Sequence, residues 1–200
     1  GGITFDKTIE LICRRSEIMD SCFENKSGSM LSVIGLSDVM LTKIISKFNL
    51  DNDSNLIISN FNCPGQFTVS GLSNHVDLLA ENLQKYNIKK IFKVPVSGAW
   101  HSPLLSEATQ KFNKYLESLT FQNLKSKVIN NVTGNFFYDN LNNHKIDLAD
   151  HIKLPVKWDK GIRYLIQMGV TEFTEVGYGN MLTKFGMFIN RKVEFKVYTK

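Results

Sequence analysis

Between residues 29 and 96 the hydrophobic pattern switches repeatedly between a strand-like and a helix-like period, and few folds satisfy the order in which it does so. Ser29–Leu36 is an apolar run of strand length. Ser37 then offers an N-cap, and Met40, Leu41, Ile44, Ile45 and Phe48 recur at the spacing of one helix face. Two strand-like runs follow, Leu56–Asn60 and Gln66–Ser70, separated by Asn62-Cys63-Pro64-Gly65, in which Pro-Gly marks a turn. After Gly71, the residues Val76, Leu79, Ala80, Leu83 and Tyr86 make a second helix face that leads into the strand Ile88–Val96. The resulting order β-α-β-β-α-β is the split, ferredoxin-like arrangement, so residues 29–96 are expected to form a compact small lobe.

The flanks have a different character. Thr4 can cap a helix over 5–21, with Phe5, Ile9, Ile12, Ser16 and Met19 on one stripe. At about 100° per residue Arg15 lies roughly 80° from the centre of that stripe and Arg14 on the far side, so Arg15 alone can lean inward. Beyond the small lobe, Ser102-Pro103 opens a helix with Leu104, Leu105, Ala108, Phe112 and Leu116. A strand around 127–132, helices near 147–152 and 158–168, a strand at 171–176, a helix at 181–189 and a strand at 192–198 follow. The Asn-rich stretches at 49–62 and 140–143 read as loop material. Residues 1–28 and 97–200 are therefore expected to form part of a parallel α/β lobe. The chain begins without methionine and runs at once into a helix, and the first strands of that lobe are expected from sequence upstream.

Composition narrows the class of protein. No apolar run approaches the roughly 18 residues that span a bilayer, which argues against a membrane protein. Three cysteines without a CxxC or His/Cys spacing argue against a disulfide framework and against a metal site, and they suit a reducing compartment. A net charge of +5 with a pI near 9.0 suits an acidic partner without saying which.

A few residues stand out chemically. His101 follows Gly98-Ala99-Trp100 and directly precedes a helix start, where a general base is often placed but where a lone histidine is more often structural or solvated. The amides of Asn60 and Asn62 flank a rigid turn, where they either orient a polar ligand or bond to their own backbone. Cys63 has no neighbour in sequence that would lower its pKa, which disfavours it as a nucleophile. Gly177-Tyr178-Gly179 between a strand and a helix has the look of a phosphate-binding turn, a signal of low specificity.

Taken in order, the motifs resemble the malonyl-CoA:acyl-carrier-protein transacylase family. They are Cys13-Arg14-Arg15-Ser16-Glu17-Ile18-Met19, Gly28-Ser29-Met30, Asn60-Phe61-Asn62-Cys63-Pro64-Gly65-Gln66 and Val96-Ser97-Gly98-Ala99-Trp100-His101-Ser102-Pro103. Asn130-Asn131-Val132-Thr133-Gly134, Pro155-Val156-Lys157-Trp158 and Glu175-Val176-Gly177-Tyr178-Gly179 complete the set. The resemblance implies an α/β-hydrolase-like large lobe, incomplete here, with the ferredoxin-like small lobe inserted in it. It implies ping-pong transfer of malonyl from malonyl-CoA, through a serine ester, to the phosphopantetheine thiol of acyl carrier protein, without a cofactor or metal. His101 would be the base, oriented by the backbone carbonyl of His151. Arg15 would hold the malonyl carboxylate, Asn62 would line the cleft, and Trp100 would exclude an α-methyl branch. Lys89 and Lys90, entering the strand that runs to His101, would dock the acidic carrier protein about 20–35 Å from the base.

The chain departs from the family pattern at Tyr178 and Lys157, and no Gly-x-Ser-x-Gly elbow occurs in its 200 residues. The nucleophile is therefore expected upstream, and the 200 residues alone are expected to be inactive. A monomer in a bacterial cytoplasm or a plastid-type organelle is implied, without nucleic-acid or membrane partners. Two alternatives remain open: an acyltransferase domain of a polyketide or type I fatty-acid synthase, and a non-catalytic scaffold or RNA-binding ferredoxin-like module.

Overall fold

A computed structural model describes residues 2–137 and 141–199, with the backbone alone at 141–143. The chain opens with α1 (Phe5–Ser21), capped as expected by the Thr4 hydroxyl. Six elements follow: β1 (Gly28–Ile34), α2 (Asp38–Asn52), β2 (Ile57–Cys63), β3 (Gln66–Leu72), α3 (Ser73–Leu83) and β4 (Lys90–Lys93). Their strands form one antiparallel sheet in the order β2-β3-β1-β4.

The two faces of this sheet have different tasks. Leu31, Val33, Ile58 and Val69 face α2 and α3 and pack with Leu41, Ile45, Phe48, Val76, Leu79 and Leu83 into one core. Each fully buried leucine there contributes about 2 kcal/mol. The other face carries the cross-strand row Asn60–Thr68–Ser32 and the pair Met30–Ser70. Thr68, Ser32 and Ser70 are buried, so this polar face is covered, and it fronts the rest of the molecule. At the β2 edge, Phe61 N–H donates to the Val156 carbonyl (2.9 Å) and Val156 N–H to the Ser59 carbonyl (2.8 Å). These bonds tie the sheet edge to the segment that follows α5.

Beyond the sheet come a 3-10 turn (Pro103–Leu105), α4 (Ser106–Glu117), β5 (Ile129–Asn130), β6 (Asn135–Phe136) and α5 (Leu141–Asp150). The chain closes with α6 (Trp158–Gln167), β7 (Glu172–Glu175), α7 (Met181–Ile189) and β8 (Glu194–Val197). β7 and β8 pair in parallel, as the alternating α/β pattern predicts. The strand expected at 127–132 is a two-residue piece that pairs antiparallel with β6 across a turn. The strand expected over Ile88–Val96 shrinks to Lys90–Lys93: it starts opposite Ile34, where its partner β1 ends, and stops opposite Leu31 although β1 runs on to Gly28. The Asn-rich run at 140–143 was expected to be loop; its residues 141–143 are helical, and residue 140 lies outside the described residues.

The largest departure concerns α1. Of the expected stripe only Met19 is buried and Phe5, Ile9, Ile12 and Ser16 are exposed, whereas Leu11, Ile18 and Cys22 join Met19 in the core shared with α4. At about 100° per residue the buried face is centred roughly 100° away from the stripe, close to Arg15. Arg15 is thus in the middle of the inward face and not at its edge.

Candidate active site

A cavity of about 370 Å³ lies where α1, the polar face of the sheet and the loop after β4 meet. α1 contributes Arg15, Ser16, Met19 and Asp20; the sheet contributes Met30 and Asn60; the loop contributes Trp100 and His101.

His101 sits at φ +56°, in the left-handed region that side chains other than glycine's rarely occupy, a conformation that costs on the order of 1 kcal/mol. The neighbouring residues enforce it. The buried Ser102 hydroxyl donates to the Ala99 carbonyl (2.7 Å), and Leu105 N–H donates to the Ser102 carbonyl (3.0 Å), closing the turn. The backbone carbonyl of His151 lies 2.8 Å from His101 Nδ1. A carbonyl only accepts, so Nδ1 carries the proton and Nε2 keeps its lone pair. Burial, reinforced by the charge of Arg15, lowers the pKa of His101, although hydrogen bonds to the backbone of His151 and Leu154 oppose the shift. The imidazole is therefore neutral at pH 7 and able to take a proton.

His151 is itself anchored. Its Nε2 lies 2.9 Å from Asn130 Oδ1, which also accepts from Val132 N–H (2.8 Å). Burial first, then Arg15 and His101, depress the pKa of His151 to about 4. Its ring is a neutral donor to Asn130.

Arg15 is half-buried, and burial lowers its pKa while leaving it charged. It forms no hydrogen bond or ion pair with another described residue. Arg14, one position away, pairs with Glu17 at 3.0 Å on the surface. A desolvated guanidinium without a protein partner is a site for an external carboxylate or phosphate.

Asn60 enters the cavity, and Asn62 stands further along the same strand, with its amide 3.4 Å from Thr68 Oγ1. β-bulges between Ile58 and Asn60 and between Phe61 and Cys63 decide which asparagine points where, and sequence spacing does not show them. The Ser59 hydroxyl donates to Asn60 Oδ1 (2.8 Å), which holds the amide by its oxygen. Lys89 and Lys90 are exposed at the start of β4, with Lys90 Nζ 5.1 Å from the centre of the Phe92 ring.

Two other candidates take no part. Burial pushes the Cys63 thiol up to about 11, assisted by Asp159, so it is an inert core residue. The helix start after Gly177-Tyr178-Gly179 is filled by the Glu175 carboxylate, which accepts from Leu182 N–H (3.2 Å) and Thr183 N–H (2.8 Å). An internal anion occupies the place a phosphate would take.

Fold and cleft together define a mixed α/β chain in which a neutral, carbonyl-held histidine and a guanidinium without a partner among the described residues share one cavity. The chain is similar to the malonyl CoA-acyl carrier protein transacylases over nearly all of its length. It is 28% identical over 195 residues to that protein of Bacillus subtilis, covering 97% of this chain and 61% of the relative. The crystal structure of an acyl carrier protein S-malonyltransferase from Vibrio cholerae superposes with a TM-score of 0.92 at 26% identity, over 100% of this chain and 64% of that one. The same fold occurs in one chain of a complex between a type II polyketide acyl-carrier protein and its malonyl-transacylase, with a TM-score of 0.92 at 23% identity over 98% of this chain and 62% of the other. No family model matches the chain. The chain spans about three-fifths of the length of these relatives.

Proposed function

We propose that these 200 residues are the greater part of a malonyl transacylase of fatty-acid synthesis, whose nucleophilic serine is supplied by sequence outside them. The observation that carries this reading is the shared cavity of His101 and Arg15, a neutral base beside a free guanidinium. Two features support an additional segment: the missing Gly-x-Ser-x-Gly elbow and the apolar faces left open at Phe5, Ile9 and Ile12 of α1 and at Met187 and Phe188 of α7. In this account residues 29–96 form a ferredoxin-like lobe, which the strand order β2-β3-β1-β4 supports. Residues 1–28 and 97–200 belong to an α/β-hydrolase-like lobe. The burial of Thr68 and Ser70 removes the open sheet face that an RNA-binding module of this topology would need.

His101 Nε2 takes the serine proton as the oxygen attacks the malonyl-CoA thioester carbon. When the carbon–sulfur bond breaks, the imidazolium returns that proton to the departing thiolate. The malonyl ester is then attacked by the phosphopantetheine thiol of the carrier protein, with His101 acting as base again, and serine is regenerated. Arg15 grips the free carboxylate throughout, in a bidentate contact that a neutral acetyl group cannot make. Asn60 would orient the acyl group, and Trp100 would limit its width. The chemistry uses no cofactor beyond the two substrates.

The test is the substrate preference of Arg15→Ala in the full-length protein. Loss of a charge-assisted, partly buried contact costs about 2–3 kcal/mol, so kcat/KM for malonyl-CoA should fall roughly 30- to 150-fold while acetyl-CoA is scarcely affected. An equal loss for both thioesters would make Arg15 a packing residue and overturn the proposal.

A further inference from the structure

The Trp100 ring is held from three sides. An added Cβ at Gly98 would stand 2.5–2.7 Å from three carbons of the ring, so the indole lies directly on bare backbone. Phe23 meets the ring edge-on, with centroids 5.3 Å apart and planes at 88°. Trp100 and Phe23 both pack on the helical core that contains Leu11, Ile18 and Leu105. Phe23 has no slack of its own. An added Cβ at the buried Gly28 would lie 2.5 Å from its ring and would collide with the backbone nitrogen of Ala99. Among these contacts, only Trp100 itself faces the cavity beside Arg15 and His101, and Phe23 stands behind it. A side chain so wedged cannot swing aside for a larger ligand without displacing a second aromatic ring or a strand backbone.

We propose that Phe23, clamped by Gly28, is a specificity-determining residue that makes Trp100 a fixed wall and so sets the width of acyl group the cleft accepts. The inference rests on the malonyl transfer proposed above and adds to it the device that keeps the wall in place. An unbranched malonyl group fits beside an immobile indole, whereas a methyl branch on its α-carbon must push the ring back. Removing the edge contact gives the ring somewhere to go. The gate is then a property of a residue outside the cavity, which would be overlooked if only lining residues were compared.

Two measurements on Phe23→Ala test this, with Phe23→Leu as a milder variant should the alanine chain fold poorly. The full-length protein is assayed for transfer from malonyl-CoA and from its α-methyl homologue. In parallel, 19F NMR of 5-fluorotryptophan-labelled protein reports on Trp100, whose signal is assigned with Trp100→Phe; the chain has two tryptophans. One methyl group in a closely fitted apolar site is discriminated by about 10- to 200-fold. The expected result is a sharper, shifted Trp100 resonance together with at least a tenfold rise in the α-methylmalonyl to malonyl ratio. Malonyl transfer itself should be nearly unchanged. An unchanged ratio overturns the proposal whether or not the resonance moves. A parent protein that transfers neither group would sink the functional reading beneath it, an outcome distinct from a parent that transfers malonyl and a variant that keeps its selectivity.

Discussion

Replacing His151 with glutamine should change how the stability of the chain depends on pH. In the folded chain the His151 pKa is lowered to about 4 from an ordinary 6.5, chiefly by burial. The unfolded chain therefore binds a proton that the folded chain refuses, and stability falls as pH drops through that window, levelling off below about 4. At about 1.4 kcal/mol per pH unit, the full fall attributable to this ring is about 3 kcal/mol. The groups that face it are Arg15 and His101, which deepen the shift, and Asp150, which opposes it. Glutamine keeps an amide N–H for Asn130 Oδ1 and does not titrate, so His151→Gln should lie within about 1 kcal/mol of the parent at pH 7.5. Urea unfolding followed by circular dichroism at pH 7.5 and at pH 4 measures both chains. Carboxylates titrate in both, so the difference isolates the histidine. The parent should lose about 3 kcal/mol more than the variant on acidification. Parallel losses would mean that the ring is not held neutral, and the assignment of its hydrogen bond to Asn130 would fall with it.

Replacing Lys89 and Lys90 by glutamate should raise the carrier-protein KM severalfold at low salt, with the difference shrinking at high salt and malonyl-CoA loading unchanged, because exposed rim charges act mainly on association. Unaltered carrier kinetics at low ionic strength would move the docking surface elsewhere, toward Lys157 and Lys160. The 200 residues alone should transfer no malonyl from radiolabelled malonyl-CoA, and co-expression with the preceding part of the gene product should restore transfer. Robust transfer by the 200 residues alone would show that the nucleophile lies within them.

Where sequence reading succeeded, local and global signals agreed. Ser37 and Thr4 cap the helices they were expected to cap, and Leu41, Ile44, Ile45 and Phe48 of α2 with Val76, Leu79 and Leu83 of α3 form the core that faces the sheet, although Met40, expected on the same face, is exposed. It failed where tertiary contacts chose between options of similar local quality. The Phe5–Ile9–Ile12 stripe is the most apolar on α1, yet α4 packs on the face containing Leu11 and Ile18, and that choice turns Arg15 fully inward. β4 starts late because its partner β1 ends at Ile34, opposite Lys90, a limit that the residues of β4 do not themselves show. Asn60 was noticed only as one of two amides, and the bulges that aim it into the cavity leave no trace in residue spacing. His101 was legible as a candidate from its place before a helix, and its carbonyl partner fifty residues away was named only through the family resemblance, whereas its left-handed backbone was not legible at all. The wedge behind Trp100 was invisible too, since nothing in Phe23 or Gly28 taken alone announces a contact with residues 98–100.

Rapid-quench measurement of malonyl-enzyme formation in the full-length protein decides whether His101 is the base of the proposed malonyl transfer. The parent should show a burst of covalent malonyl-enzyme, and His101→Ala a rate about 10²- to 10⁴-fold lower, the range expected when a general base is lost. His75→Ala, at a histidine that does not line the cavity, should leave the burst intact. A normal burst in His101→Ala would contradict the account, since the neutral, carbonyl-held imidazole beside Arg15 would then have no part in the chemistry.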